Sequence, residues 1–206
     1  MHQTREFPLD PRAVCIYCAS SPNVAPDIFA TGKRLAELLA QAGLDMVYGG
    51  TTCGLMLATA QAHQAAGGRL VGVVPRFMVE RGIHNPHLDE LITVESMSER
   101  KTVMQQRSGA FVCLPGGMGT YDELFDTLTQ RQLRLLPKPI LLLNVRGYYE
   151  PLWAMLQRGV EEKIIKREHL QLLTLLDTPE AILEFLRHPP PEPVSPIAGE
   201  LTSAIK

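Results

Sequence analysis

The segment Pro115-Gly116-Gly117-Met118-Gly119-Thr120-Tyr121-Asp122-Glu123 sets three glycines beside a hydroxyl and two carboxylates. Glycines after a strand let the backbone approach a ligand closely, and a helix N-terminus behind them offers free N–H groups and a partial positive charge. That combination suits phosphate. It is not the dinucleotide fingerprint G-x-G-x-x-G, because Asp122 stands where the third glycine would, and no Gly-Lys-[Ser/Thr] of a Walker A loop occurs. A second glycine turn, Tyr48-Gly49-Gly50-Thr51-Thr52-Cys53-Gly54, strengthens the case for a phosphorylated ligand. Met97-Ser98-Glu99-Arg100-Lys101 supplies two cations that could contact a phosphate or a reacting sugar.

Each feature also has a plainer reading. Thr120-x-x-Glu123 has the form of a capping box, with Glu123 reaching back from the third helical position. Arg100 and Lys101 would serve equally as a solvated helix start. The first reading for Glu123 is partly compatible with chemistry. A carboxylate in the first turn is held ionised by the helix dipole, and could orient water or stabilise a developing cation.

Other candidates are weaker. Cys15 and Cys18 form a C-x-x-C inside a run that reads as a buried strand, where positions three apart point to opposite faces. They read as small buried hydrophobes rather than a redox pair, and Cys53 and Cys113 offer no second pair for zinc. His84 and His87 flank Asn85-Pro86 in an irregular stretch, and no carboxylate pattern supports metal there. His63 sits on an alanine-rich helix. No G-x-S-x-G elbow exists for a Ser-His-Asp triad.

These residues must be carried by strands and helices in alternation. Strands are expected at 13–19, 44–48, 70–74, 91–94, 110–114, 139–145 and 172–176. Helices are expected at 26–42, 54–66, 98–108, 121–135, 149–157 and 179–187, with 76–89 irregular. Apolar strands without alternation, each followed by a helix, imply a parallel sheet covered on both faces. The fold class is therefore α/β, a single doubly wound domain at 13–188, with an N-terminal extension at 1–12 and a Pro-rich flexible tail at 189–206. Ligands of such sheets sit beyond the carboxyl ends of the strands, which is where both glycine turns fall.

Composition agrees. With Lys+Arg at 20 against Asp+Glu at 22, no bulk positive field favours nucleic acid or a membrane surface. The absence of a long apolar run or an apolar leader points to a cytoplasmic protein.

The signature 115–123, preceded by Met97-Ser-Glu-Arg-Lys101, resembles the PGGxGTxxE motif of the LOG ("Lonely Guy") family, cytokinin riboside 5′-monophosphate phosphoribohydrolases. Cys18-Ala-Ser-Ser21, Tyr48-Gly-Gly50, Gly54-Leu-Met56, Val71-Gly-Val-Val-Pro75 and the run from Lys138 to Tyr149 extend the resemblance over most of the domain. It implies a Rossmann-like fold binding a nucleoside 5′-monophosphate without any cofactor or metal, and a homodimer or higher homo-oligomer. The implied reaction is hydrolysis of the N-glycosidic bond of N6-modified AMP to free base and ribose 5-phosphate. Such proteins are often labelled lysine decarboxylases, but no lysine here has a setting suited to a pyridoxal phosphate Schiff base.

Arg100 and Glu123 match the family's essential pair. Lys101, Gly116, Gly117, Gly119, Thr120 and Asp122 match nucleotide-contacting positions, and Met118 and Tyr121 fall within the same signature. Glu80 matches a family glutamate after the third strand, although 80–100 is about two residues longer than in plant-like members. Ser20, Gly49, Gly50, Met97 and Thr129 are weaker matches. Thr51, Ser98 and Asp122 depart from the family's usual glycine, histidine and glutamate, which bears on substrate preference. On this reading Glu123 stabilises the ribosyl cation or activates water, and Arg100 positions ribose or phosphate or assists the departing purine; the general acid is open. Two alternatives stand beside it: a general AMP nucleosidase, and a protein that binds or senses a nucleotide without cleaving it.

Overall fold

A computed structural model describes residues 12–190. The expected N-terminal extension and Pro-rich tail therefore lie, apart from Arg12, Pro189 and Pro190, outside the described residues. The described residues form seven strands: β1 (Ala13–Tyr17), β2 (Asp45–Tyr48), β3 (Leu70–Pro75), β4 (Glu90–Val94), β5 (Ala110–Cys113), β6 (Ile140–Leu143) and β7 (Thr174–Leu176). They make one all-parallel sheet in the order β4-β3-β2-β1-β5-β6-β7. The side on which successive strands are added reverses between β1 and β5, which pair in parallel from Val14↔Ala110 to Tyr17↔Cys113. The crevice beyond those two carboxyl ends is the ligand site of a doubly wound sheet.

The helices are α1 (Pro26–Gln41), α2 (Gly54–Ala65), α3 (Arg76–Glu80), α4 (Met97–Gln106), α5 (Met118–Gln132), α6 (Glu150–Glu161) and α7 (Pro179–Arg187). One core joins Leu35 and Leu39 of α1, Leu55 of α2 and Ile182 of α7 to Val14, Ile16, Met46 and Leu141. The other joins Val103, Leu124 and Leu156 of α4, α5 and α6 to Cys15, Tyr17, Val47 and Phe111. The central strands are buried on both faces, as their unbroken apolar sequences require.

Two of the changes from expectation bear on the site. The stretch 76–89 is not wholly irregular: Arg76–Glu80 forms α3 directly after β3. Helix α5 begins at Met118, three residues ahead of expectation, and its N-cap is Gly117 with no side-chain cap. The Thr120–Glu123 capping box does not form, because both residues are already inside the helix. The box-like cap belongs instead to α4, where the Ser96 hydroxyl accepts from the Glu99 N–H at 3.1 Å and the Glu99 carboxylate accepts from the Glu95 N–H at 2.7 Å.

Cys15 and Cys18 are buried, free, and in the two different cores. Burial pushes both thiols upward, so neither is poised as a thiolate. Among the described residues no helix is long and apolar enough to cross a membrane.

Candidate active site

The first glycine turn runs from the end of β5 into α5. Three successive carbonyls in it are each engaged by a donor from outside the turn. Leu114 O accepts from the Tyr149 hydroxyl at 2.7 Å, Pro115 O from the Ala19 N–H at 3.2 Å, and Gly116 O from the Tyr148 hydroxyl at 2.5 Å. A Cβ on Gly116 would overlap the buried Thr120 hydroxyl, so this glycine packs the turn onto its own helix. Gly117 and Gly119 differ. A Cβ at either would meet nothing within 4 Å, and both are exposed. The fold does not need glycine there; a ligand resting on the backbone would.

The second turn holds Arg100. This side chain rises from the first turns of α4 and is 6% exposed. Its Nε donates to Val73 O of β3 at 3.1 Å and its Nη2 to Gly49 O after β2 at 3.0 Å. Nη1 has only the Met97 sulfur at 3.9 Å. The guanidinium is thus fixed along one edge by carbonyls, and its other edge keeps donors for a ligand. Residues beyond α3 brace the same turn. Asn85 N–H donates to Gly50 O at 2.7 Å, Asn85 Nδ2 to the Tyr48 hydroxyl at 3.0 Å, and Thr51 bridges His84.

Glu123 lies on the buried face of α5 with Thr120, Leu124 and Thr127. Burial is the main force on its carboxyl and pushes the pKa up to about 7; Arg100 opposes this, Asp122 adds to it, and Lys101 opposes it. Among the described residues no side chain hydrogen-bonds the carboxyl or forms an ion pair with it. A half-buried carboxyl near pH 7, without a bonded partner and within the field of a fixed guanidinium, is suited to exchange a proton or face a developing positive charge.

A polar seam between α4 and α5 sets the relative position of the pair. Lys101 Nζ donates to Asp122 at 2.9 Å and lies 3.6 Å from Asp126. Gln105 Nε2 donates to Asp126 at 2.6 Å and to the Thr127 hydroxyl at 3.2 Å, and Thr127 donates to Glu123 O at 2.8 Å. Lys101 and Asp122 therefore tie the helices together, and the Asp122 bond keeps the Lys101 ammonium charged.

The remaining sequence candidates divide. Met97 and Gly49 touch Arg100, and Gly50 shapes the second turn. Ser20 lies beyond β1, its carbonyl packed where a Cβ on Gly54 would fall. Glu80 ends α3 exposed, and forms no hydrogen bond or ion pair with Arg100 or Glu123. Met118, Tyr121, Asp122 and Thr129 project from the other side of α5, where with Phe125, Asp126 and Gln130 they line an open groove of about 520 Å³. Within one chain Thr129 does not meet Glu123. Its hydroxyl donates to Phe125 O at 2.8 Å. The sequence reading gave no role to Tyr148, Tyr149, Gln105 or Asp126. Adjacent tyrosines just past a strand end were the available signal.

A family model described as a possible lysine decarboxylase matches residues 56–186. A protein of Oryza sativa subsp. japonica, named "probable cytokinin riboside 5′-monophosphate phosphoribohydrolase", is 37% identical over 191 residues, covering 93% of this chain and 78% of its own. A cytokinin riboside 5′-monophosphate phosphoribohydrolase of Arabidopsis thaliana is 33% identical over 175 residues, covering 85% and 82%. Among solved structures, the molybdenum cofactor binding protein of Rippkaea orientalis superposes with a TM-score of 0.65 at 19% identity, covering 90% of this chain and 98% of its own. That likeness shows the fold alone.

Among the described residues no lysine fits the pyridoxal phosphate of a decarboxylase. Lys101 is neutralised by two aspartates, and Lys138 donates to Gln105 O at 2.8 Å just ahead of β6, at the opposite edge of the sheet. Lys33, Lys163 and Lys166 are on the exposed surface.

Proposed function

The chain belongs to the LOG family of phosphoribohydrolases, and from that premise we propose that it hydrolyses the N-glycosidic bond of N6-modified adenosine 5′-monophosphates. The products are the free base and ribose 5-phosphate. One observation carries the reading: a backbone cradle at the switch point stands beside a carbonyl-fixed Arg100 and a Glu123 without a bonded partner.

In this mechanism the N–H groups from Gly117 to Thr120, at the positive end of α5, take the 5′-phosphate. The free edge of Arg100 binds the ribose or the phosphate. As the bond from C1′ to the base nitrogen breaks, its electron pair leaves with the purine and the ribosyl carbon gains positive charge. Ionised Glu123 faces that charge and takes a proton from the incoming water as its oxygen bonds C1′. A proton from solvent restores the departing base to neutrality. Losing such a positioned charge costs about 10²–10³ in rate. Base release measured by chromatography, with Glu123→Gln and Arg100→Ala beside the wild type, tests this.

The second part of the proposal is a homodimer through the outer face of α5. Phe125 is 36% exposed there, Met118 is 85% exposed at its start, and Leu135, just past its end, is 68% exposed. Leu128 and Leu136, in contrast, pack into the core, and Arg131 donates to Leu172 O. Light scattering that finds only monomer at micromolar concentration would remove this part.

A further inference from the structure

A peptide unit is planar, so fixing a carbonyl fixes the direction of the next residue's N–H. Three consecutive carbonyls, those of Leu114, Pro115 and Gly116, are each held by a donor from outside the turn. The third decides the cradle. Gly116 O is the last carbonyl ahead of the α5 hydrogen-bond ladder, which begins with Gly117 O accepting from the Tyr121 N–H at 3.0 Å, and the N–H on its peptide belongs to Gly117, the N-cap. An added Cβ on Gly117 would meet nothing within 4 Å, so the Gly117 side of this peptide has open space to turn into, while Gly116 is packed against Thr120. Rotated, it would present a carbonyl oxygen to the ligand in place of an N–H.

Tyr148 prevents that rotation. Its hydroxyl donates to Gly116 O at 2.5 Å and accepts from the Tyr121 hydroxyl at 2.9 Å. Its ring stands edge-on to Tyr149, with centroids 5.2 Å apart and planes at 88°. Tyr149 is itself locked, its hydroxyl on Leu114 O and its N–H on the Asn144 side chain at 2.9 Å. The loop after β6 thus grips the loop after β5 by two adjacent tyrosines, and Tyr121 of α5 closes the chain of hydrogen bonds.

We propose that Tyr148 is a positioning residue for phosphate recognition: it holds the Gly116–Gly117 peptide so that the Gly117 N–H faces the 5′-phosphate, with Tyr121 orienting the Tyr148 hydroxyl. This rests on the phosphoribohydrolase reading and assigns a residue to its phosphate subsite. The Tyr148 hydroxyl acts through the Gly116 carbonyl, so its removal should weaken affinity for the phosphate end and spare the bond-breaking step.

The test is Tyr148→Phe, which keeps the ring packing and removes only the hydroxyl. KM for the nucleoside 5′-monophosphate should rise about 3–10-fold, the range of one hydrogen bond, with kcat retained. Inhibition by ribose 5-phosphate should weaken by the same factor while inhibition by free adenine stays unchanged. Tyr121→Phe should move the same two quantities in the same direction by less. Equal weakening toward adenine and ribose 5-phosphate, or no change toward either, overturns the assignment. Direct titration with inorganic phosphate separates the two levels. Wild-type protein that binds phosphate, with Tyr148→Phe binding equally well, refutes the role of Tyr148 alone. Wild-type protein that neither binds phosphate nor prefers a monophosphate refutes the cradle, and the positioning role falls with it.

Discussion

The guanidinium of Arg100 occupies the space that a side chain at position 49 would fill: a Cβ on Gly49 would overlap Arg100 Nη2, the atom that donates to Gly49 O at 3.0 Å. Glycine at 49 is therefore a condition for the arginine's position. Gly49→Ala should displace the guanidinium and lower kcat/KM toward the level of Arg100→Ala, about 10²–10³ below wild type. Arg100→Lys should not rescue activity, since a tetrahedral ammonium lacks the planar fork that bonds both carbonyls along one edge and presents donors from the other. Steady-state kinetics of the three variants, with circular dichroism to confirm folding, checks this.

Gly117 and Gly119 give the opposite expectation. Their Cβ positions are open, so Gly117→Ala and Gly119→Ala should unfold at the wild-type temperature. Each should nonetheless weaken binding of a monophosphate, because the added methyl stands where the ligand meets the backbone. Thermal melts and phosphate titration together read this, and unchanged affinity would relocate the phosphate.

The pH dependence should centre on Glu123. With its pKa near 7, the ionised form grows as pH rises through 7, so kcat/KM should fall on the acid side with an apparent pKa near that value. The residual activity of Glu123→Gln should lack this limb.

The same burial has a cost in stability. A carboxyl whose folded pKa is raised binds more protons folded than unfolded between the two values, so its contribution worsens as pH rises from the ordinary carboxyl range through 7. Glu123→Gln should therefore be more stable than wild type by about 1–3 kcal/mol near pH 8, with the gain vanishing near pH 4. Denaturant titrations at both pH values measure the difference; a destabilised variant at the higher pH contradicts the burial argument.

His63 acts in the other direction. It is fully buried, with Nδ1 bonded to Ala36 O at 2.9 Å and Nε2 without a partner. Burial lowers its pKa below the usual 6.5. The unfolded chain then binds more protons below that value, so stability should fall as pH drops through it. Melting temperatures of His63→Gln should depend less on pH across this range than those of wild type.

Much of this was legible in the sequence because chemistry and fold shared the same signals. Unbroken apolar runs such as Ile140–Leu143 gave a parallel sheet, and glycines after β2 and β5 marked its carboxyl edge. The start of α5 was misplaced because Thr120-x-x-Glu123 mimics a cap, while the glycines that looked like loop are compatible with the first helical turn. Tertiary anchoring was not legible. That Arg100 would bond Val73 O and Gly49 O depends on strands brought side by side by the sheet order, and no local pattern encodes it. Tyr148 escaped for the same reason: its partner, Gly116 O, is backbone on a neighbouring loop.

The most direct measurement is base release from isopentenyladenosine 5′-monophosphate and from AMP, by wild-type protein and by Glu123→Gln. Free base from the modified nucleotide, reduced about 10²–10³ in the variant, is the predicted result. Comparable release from AMP would make the protein a general nucleosidase with the same machinery. No release from either nucleotide, with binding still detectable, would contradict hydrolysis at this site and leave a nucleotide-binding protein.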